Sequence, residues 1–240
     1  MAESERSFID RFQKTTSLIA AATGLVPTYA PLDPLMTIAL VTARNNACET
    51  LNAAVATAIT NWSGPVQNRI GQVVLIKARS TALLNYIKTN PAWKDKFGRA
   101  KVLADSIRNI KPPRKTTPPP DPPTPASTAT HKRGAQSYFE IEANWKSFVN
   151  LATGLPGYSP PIANAPLQAA NLNNLLNAMA AVNDAIPPLE EALAAARSQR
   201  YDAYYGLDGL KAKFTGMKNA IKGQYSPPST QWTQVKGIIW

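Results

Sequence analysis

Apolar residues in this chain recur at alternating intervals of three and four positions, the spacing that places them on one face of an α-helix. The pattern is weaker in the N-terminal half, where four segments begin near Phe8, Leu51, Val66 and Ala100. In the C-terminal half it is most regular, and a further short segment contains Leu189, Leu193 and Ala196. The regular segments contain Tyr138, Ile141, Trp145, Phe148 and Ala152, then Leu172, Leu175, Met179, Val182 and Ile186, then Leu207, Leu210, Phe214, Met217 and Ile221. Because no segment alternates with period two, we predict an all-α protein of eight helices.

Short sequence elements of the N-terminal half return in the same order in the C-terminal half. Thr-Gly-Leu at residues 23–25 is followed by Pro27 and Tyr29, and the same triplet at residues 153–155 is followed by Pro156 and Tyr158. Ordered repetition of this kind predicts an internal duplication. Since both copies have the tyrosine, we expect it to pack the following crossover against its bundle instead of binding a ligand.

Prolines that follow a polar or small residue indicate where helices begin, because the first turn of a helix does not need the missing N–H. Five such positions are Asp33-Pro34, Ser63-Gly64-Pro65, Asn90-Pro91, Ala165-Pro166 and Pro187-Pro188. With these boundaries each half contains four helices. We therefore predict two tandem antiparallel four-helix bundles related by duplication, over residues 1–110 and 136–225.

A proline-rich segment separates the two predicted bundles. Residues 111–135 contain eight of the 21 prolines and no large apolar side chain, so they favour an extended polyproline II spacer. The predicted bundles are followed by a tail, residues 226–240, which is apolar near its end. An apolar terminus implies a surface that receives it, on the second bundle or on another chain. The residues that we assign to this assembly or partner contact are Trp232, Val235, Ile238, Ile239 and Trp240.

The charge is strongly basic and unevenly distributed. The chain has 26 Lys and Arg and 15 Asp and Glu, a net charge of +11. Residues 1–110 account for +6, residues 111–135 for +4 and residues 136–240 for +1. A polyanion would therefore bind the first bundle and the linker. The candidate residues for that contact are Arg99, Lys101, Arg108, Arg114, Lys115, Lys132 and Arg133.

The sequence offers little for catalysis. His131 and Cys48 are the only residues of their types, which excludes paired histidine metal motifs and a triad built from one packed domain. No phosphate-binding glycine loop occurs, and we predict no cofactor. Cys48 fits a small buried side chain on a helix, and it permits no intramolecular disulfide. Tyr201, Tyr204 and Tyr205 suggest either a stacking surface or the packed end of an amphipathic helix, and we favour the second interpretation.

These observations favour a non-catalytic structural or interaction protein whose partner is a second copy of itself or another protein. The alternative is a sequence-independent nucleic-acid-associated protein that uses the basic face of the first bundle and the linker. An enzyme or ligand carrier would need polar residues converging inside a bundle, of which Thr15 is one candidate. No stretch approaches the roughly 18 apolar residues of a membrane span, and the residues around Glu3 and Glu5 do not resemble a signal peptide. We therefore expect a cytoplasmic protein without a membrane partner.

Overall fold

The structure, a computed structural model, describes residues 5–108 and 137–240. Within these ranges the protein is all-α and contains no strand, as the spacing of apolar residues predicted. The α-helices are α1 (Glu5–Thr23), α2 (Ile38–Thr89), α3 (Lys94–Arg108), α4 (Tyr138–Thr153), α5 (Ala169–Tyr205), α6 (Leu210–Tyr225) and α7 (Thr230–Lys236). Short 3-10 helices precede α2, α3 and α5, at Pro34–Met36, Pro91–Trp93 and Ile162–Leu167.

Two of the predicted helix starts are wrong. Pro65 lies inside α2, and Pro187-Pro188 lie inside α5, so two predicted helices are merged into one in each half. An internal proline removes one backbone hydrogen bond and costs about 3 kcal/mol. Both helices bury large side chains on either side of their prolines, for example Val55 and Ile76 in α2. Since one such side chain contributes about 1.5–3 kcal/mol, packing outweighs the local cost.

Pro34 and Pro91 each open a helical segment, as predicted, whereas Pro166 lies inside one. Asp33 Oδ1 accepts a hydrogen bond of 2.9 Å from Leu35 N, and Asn90 Oδ1 accepts one of 3.0 Å from Ala92 N. These caps open the 3-10 helices that precede α2 and α3. Pro166 lies in the 3-10 segment that precedes α5. A proline is therefore a boundary here only when a side-chain cap or a 3-10 turn accompanies it.

The chain divides into two compact units that differ from the predicted bundles. Unit 1 combines Met1–Trp62 with Pro188–Trp240, and unit 2 is Ser63–Pro187. Each unit thus takes helices from both halves of the sequence, whereas the prediction gave each half its own bundle. The difference has a physical reason: α2 and α5 continue through their prolines, so the two ends of each helix have different packing partners.

Unit 1 contains α1, the first part of α2, the last part of α5, α6 and α7. Its larger apolar cluster joins Leu18 of α1 and Val41 of α2 to Phe214 and Ile221 of α6. A second cluster packs Phe8 and Cys48 around Tyr204 and Leu210.

Unit 2 contains the last part of α2, α3, α4 and the first part of α5. Trp145 and Phe148 of α4 lie at its centre, with ring centroids 6.2 Å apart and an edge-to-face angle of 89°. Both side chains are fully buried, and they belong to the same cluster as Ile76, Ile107 and Leu172. Each of the two units therefore has its own apolar core.

Candidate interaction surfaces

The two crossovers, residues 24–37 and 154–168, are held by the same interaction. Tyr29 Oη donates a hydrogen bond of 2.9 Å to Met36 O, and Tyr158 Oη donates one of 2.5 Å to Leu167 O. Burial raises the pKa of each tyrosine to about 12, so both hydroxyls stay protonated. The prediction that these tyrosines pack their crossovers is confirmed, since Tyr29 is buried and Tyr158 lies against the core of unit 2.

Each crossover also presents one large aliphatic side chain to solvent. Leu32 follows Tyr29 by three residues and is fully exposed, and Ile162 follows Tyr158 by four residues and is 87% exposed. Isolated apolar side chains are common on surfaces and need no explanation alone. Here a large exposed aliphatic side chain, Leu32 in one case and Ile162 in the other, lies seven residues after the leucine of Thr-Gly-Leu in both sequence repeats.

A groove lies beside each crossover. In unit 1 a groove of about 580 Å³ runs between residues 30–36 and the small-residue face of α6. Its floor is close-packed, because a Cβ atom on Gly216 would lie only 2.4 Å from Met36 Sδ. In unit 2 a groove of about 330 Å³ has Ala165 and Pro166 on the crossover side and Leu75 on the α2 side. The two grooves differ in size and lining, although both border a crossover.

The predicted tail residues pack on their own chain. Val235 is completely buried, Trp232, Ile238 and Trp240 are partly buried, and Ile239 is 69% exposed. All except Ile239 belong to the apolar cluster of α1 and α6. The receiving surface is thus in unit 1, and it includes part of the predicted second bundle.

Trp240 contacts aromatic side chains on two helices. Its ring centroid is 5.3 Å from that of Phe214 on α6 and 6.4 Å from that of Tyr204 on α5. The guanidinium carbon of Arg11 lies 6.0 Å from the ring of Trp240. The last residue of the tail therefore joins α1, α5 and α6.

Polar side chains of α6 and α7 hold both the tail and the first crossover. Lys218 Nζ donates to Lys236 O (2.9 Å), at the last residue of α7, and to Ile238 O (2.5 Å), two residues further on. Desolvation lowers the pKa of this lysine. Four further bonds reach the crossover backbone: Gln224 Nε2 to Thr28 O (3.0 Å), Ala30 N to Gln224 Oε1 (2.9 Å), Gln231 Nε2 to Val26 O (2.6 Å), and Tyr225 Oη to Pro27 O. No feature of the sequence pattern identified these bonds.

The predicted polyanion contact is only partly assembled. Lys101 and Arg108 both form ion pairs with Asp105, at 2.7 Å and 2.6 Å. The hydrogen bond from Lys101 has the largest effect in lowering the pKa of Asp105, and the bond from Arg108 lowers it further. Arg99 is exposed but nine residues from Arg108, which at 100° per residue places it on the opposite side of α3. Lys94 is seven residues from Lys101 and shares its face, a spacing visible in the sequence. Arg114, Lys115, Lys132 and Arg133 lie outside the described residues.

The tyrosine cluster divides into a buried and an exposed part. Tyr204 is fully buried; its hydroxyl donates to Phe8 O (3.0 Å) and accepts from Asn52 Nδ2 (2.9 Å). Burial raises its pKa to about 12. Tyr201 is 55% exposed, and its ring centroid is 4.9 Å from that of the half-buried Tyr205. The packing interpretation therefore holds for Tyr204 and fails for Tyr201.

Cys48, Thr15 and His131 are the residues that the sequence analysis considered for catalysis or ligand binding. Cys48 is fully buried, with its thiol 3.7 Å from Ala203 O, and burial raises its pKa to about 11. Thr15 is buried and donates to Arg11 O of its own helix, at 3.0 Å. His131 lies outside the described residues. Among the residues that the structure describes, no group of three or more His, Cys, Asp or Glu could hold a metal ion.

The structure of the described residues is all-α, and comparisons with known proteins give no closer assignment. No protein-family model matches it, no curated protein matches it and no solved structure matches it. Across residues 5–108 and 137–240, every helix is too short or too polar to cross a bilayer.

Proposed function

We propose that this chain is a non-catalytic structural or interaction protein that assembles with copies of itself through its two crossovers. The observation that carries the proposal is the pair of exposed aliphatic side chains, Leu32 and Ile162, at corresponding places in the two sequence repeats. Each lies on a crossover that a buried or partly buried tyrosine fixes in place.

The similarity of the two sequence repeats supports this proposal. In both repeats a helix ends at Thr-Gly-Leu, the leucine is buried, a tyrosine hydroxyl bonds to the backbone just before the next helix, and a 3-10 turn intervenes. We infer two similar helical modules that descend from one, with their helices distributed over both compact units. Two similar surfaces on one chain make bivalent contacts easy, and head-to-tail contacts between chains extend into filaments.

The physical driving force is the burial of apolar surface. A fully exposed leucine or isoleucine gains about 1.5–3 kcal/mol when a partner covers it. Two such side chains per molecule are a modest contribution to each interface, so the proposal favours reversible assembly. The grooves beside the crossovers offer concave surfaces of side-chain dimensions.

The proposal predicts that Leu32→Asp combined with Ile162→Asp converts the assembled protein to a monomer. A carboxylate at a buried contact must be desolvated, which opposes association, while an exposed site tolerates the change. Mass is measured by light scattering after gel filtration, with negative-stain images of the same fractions. Leu207→Asp is the matched control, because Leu207 is also fully exposed but lies outside both crossovers. A monomeric wild-type chain, or a double variant that assembles like the control, would contradict the proposal.

We propose the cytoplasm as the location, because a chain with a single, buried cysteine gives no support to a disulfide-forming compartment.

A second candidate function is sequence-independent association with nucleic acid. It is favoured by the separation of charge within unit 2: residues 63–108 contain nine Lys and Arg against two Asp and Glu, a net charge of +7, whereas residues 137–187 have a net charge of −2. Lys94, Lys101 and Arg108 share one face of α3, and the basic linker follows this helix in the sequence. Such a surface would bind a polyanion by releasing counterions.

This candidate predicts a large effect of a triple variant in which Lys94, Lys101 and Arg108 are replaced by Gln. The variant should elute from heparin at markedly lower salt than the wild type. Each lost phosphate-type contact reduces the salt dependence of binding by about one unit. The matched control is the exposed triple Lys146→Gln, Lys222→Gln and Lys236→Gln, which alters the net charge equally. If both triple variants elute together, overall charge explains the retention and the α3 face does not.

A further inference from the structure

We propose that the end of α5 forms a binding surface for single-stranded nucleic acid, built from Tyr201, Tyr205, Arg11 and Lys211. We name this set the tyrosine platform. It lies entirely in unit 1, and none of its residues belongs to a crossover or to α3.

The platform has an exposed aromatic ring with a fixed support. Tyr201 and Tyr205 are four residues apart on α5, so their side chains lie on the same helical face. Their ring centroids are 4.9 Å apart with an angle of 40° between the planes. Tyr205 is in turn held from α1, where Arg11 Nη1 donates a hydrogen bond to its hydroxyl. Tyr201 therefore rests against an anchored neighbour while 55% of its surface stays open to solvent.

Two cations lie beside the ring of Tyr205, which is the neighbour of Tyr201. The Arg11 guanidinium carbon is 5.2 Å, and the Lys211 ammonium 6.0 Å, from the ring centroid of Tyr205. Lys211 is exposed on α6. A flat ring beside positive groups matches the chemistry of a nucleotide, whose base stacks while its phosphate meets the cation.

The net charge of unit 1 and of the whole chain favours an anionic partner. The described part of unit 1 contains 11 Lys and Arg against eight Asp and Glu, a net charge of +3, and the whole chain has a net charge of +11. A neutral sugar would stack on tyrosine without using the cations, and an arginine of a partner protein would be repelled by them. A duplex hides the faces of its bases, whereas a single strand exposes them. Single-stranded nucleic acid is thus the partner that uses every group of the platform.

The test is the affinity of the full chain for a fluorescently labelled oligothymidylate, measured by anisotropy at several salt concentrations. Removal of one stacking ring lowers affinity by about 5- to 150-fold, so Tyr201→Ala is expected in that range. Tyr201→Phe keeps the ring and should retain affinity within about twofold. Lys211→Gln should weaken binding and reduce its salt dependence by about one unit.

Phe139→Ala is the matched control, because Phe139 is a 53% exposed ring on α4 in unit 2. It should bind like the wild type. Heparin has no bases, so Tyr201→Ala should elute from it with the wild type. This comparison also distinguishes the platform from the basic face of α3. The triple variant of that face should bind both the oligonucleotide and heparin more weakly.

Several outcomes would overturn the proposal. These are a wild-type chain that does not bind the oligonucleotide, a Tyr201→Ala variant that binds it like Phe139→Ala, or a Tyr201→Ala variant that also loses heparin retention. Competition by a neutral oligosaccharide would reassign the platform to sugars.

Discussion

When residues 1–120 and 121–240 are produced as separate fragments, neither is expected to fold alone, and the two together are expected to form a stable complex. The reason is the composition of the two apolar cores. Leu18 and Val41 pack against Phe214 and Ile221, which belong to the other fragment. Ile76 and Ile107 likewise share a cluster with Trp145. Each fragment therefore contains about half of each core and cannot bury its apolar faces.

The measurement is co-expression of the two fragments with an affinity tag on one of them. We expect the fragments to copurify in equal amounts, and the complex to show the helical circular dichroism of the intact chain. Each fragment purified alone should lack a cooperative thermal transition. A monomeric 1–120 fragment that unfolds cooperatively would instead support two tandem bundles and refute the division described above.

Deletion of residues 230–240 is expected to lower the melting temperature by roughly 6–20 °C. The deletion removes the fully buried Val235 and the partly buried Trp232 and Trp240, and it exposes the ring of Phe214. Burial of each large apolar side chain contributes about 1.5–3 kcal/mol, so the loss is at least about 3–5 kcal/mol. For a chain of this size one kcal/mol corresponds to about 2–4 °C.

The deletion is compared with Ile239→Ser by differential scanning calorimetry. Ile239 lies in the same tail but is 69% exposed, so its replacement should move the transition by no more than about 2 °C. An unchanged transition in the deletion variant would show that the tail does not stabilise unit 1. A change of assembly without a change of melting temperature would instead return the tail to the role of a contact between chains.

The fold class followed from the sequence because helical periodicity is a local property. Steps of three and four in segments such as residues 138–152 predicted α4 closely, and the cap at Asp33 indicated the 3-10 turn before α2. The merging of two predicted helices into α2 could not be predicted from the sequence. The sequence shows the local cost of Pro65, but it does not show the packing that outweighs this cost. The pairing of halves into units depends on contacts between distant residues, which no local pattern encodes.

The candidate surfaces were predictable to different degrees. The apolar tail was recognised as a docking element, whereas the lysine that holds it, Lys218, has no distinctive sequence context. The exposure of Tyr201 did not follow from spacing. Tyr201 lies three residues before the buried Tyr204 and eight after the buried Leu193, so steps of three and four would also place it near the buried face of α5.

The long sequence separation between partners in unit 1 has a consequence during synthesis. Tyr204 bonds to Phe8, and Gln231 to Val26, across 196 and 205 residues. A nascent chain therefore emerges from the ribosome with the apolar face of α1 uncovered, and it must wait for α6 before that face is buried. Proteins with such distant contacts fold slowly and form intermediates that expose apolar surface and are prone to aggregate. Chaperone binding to the growing chain should accordingly persist until the segment after Pro188 has been translated.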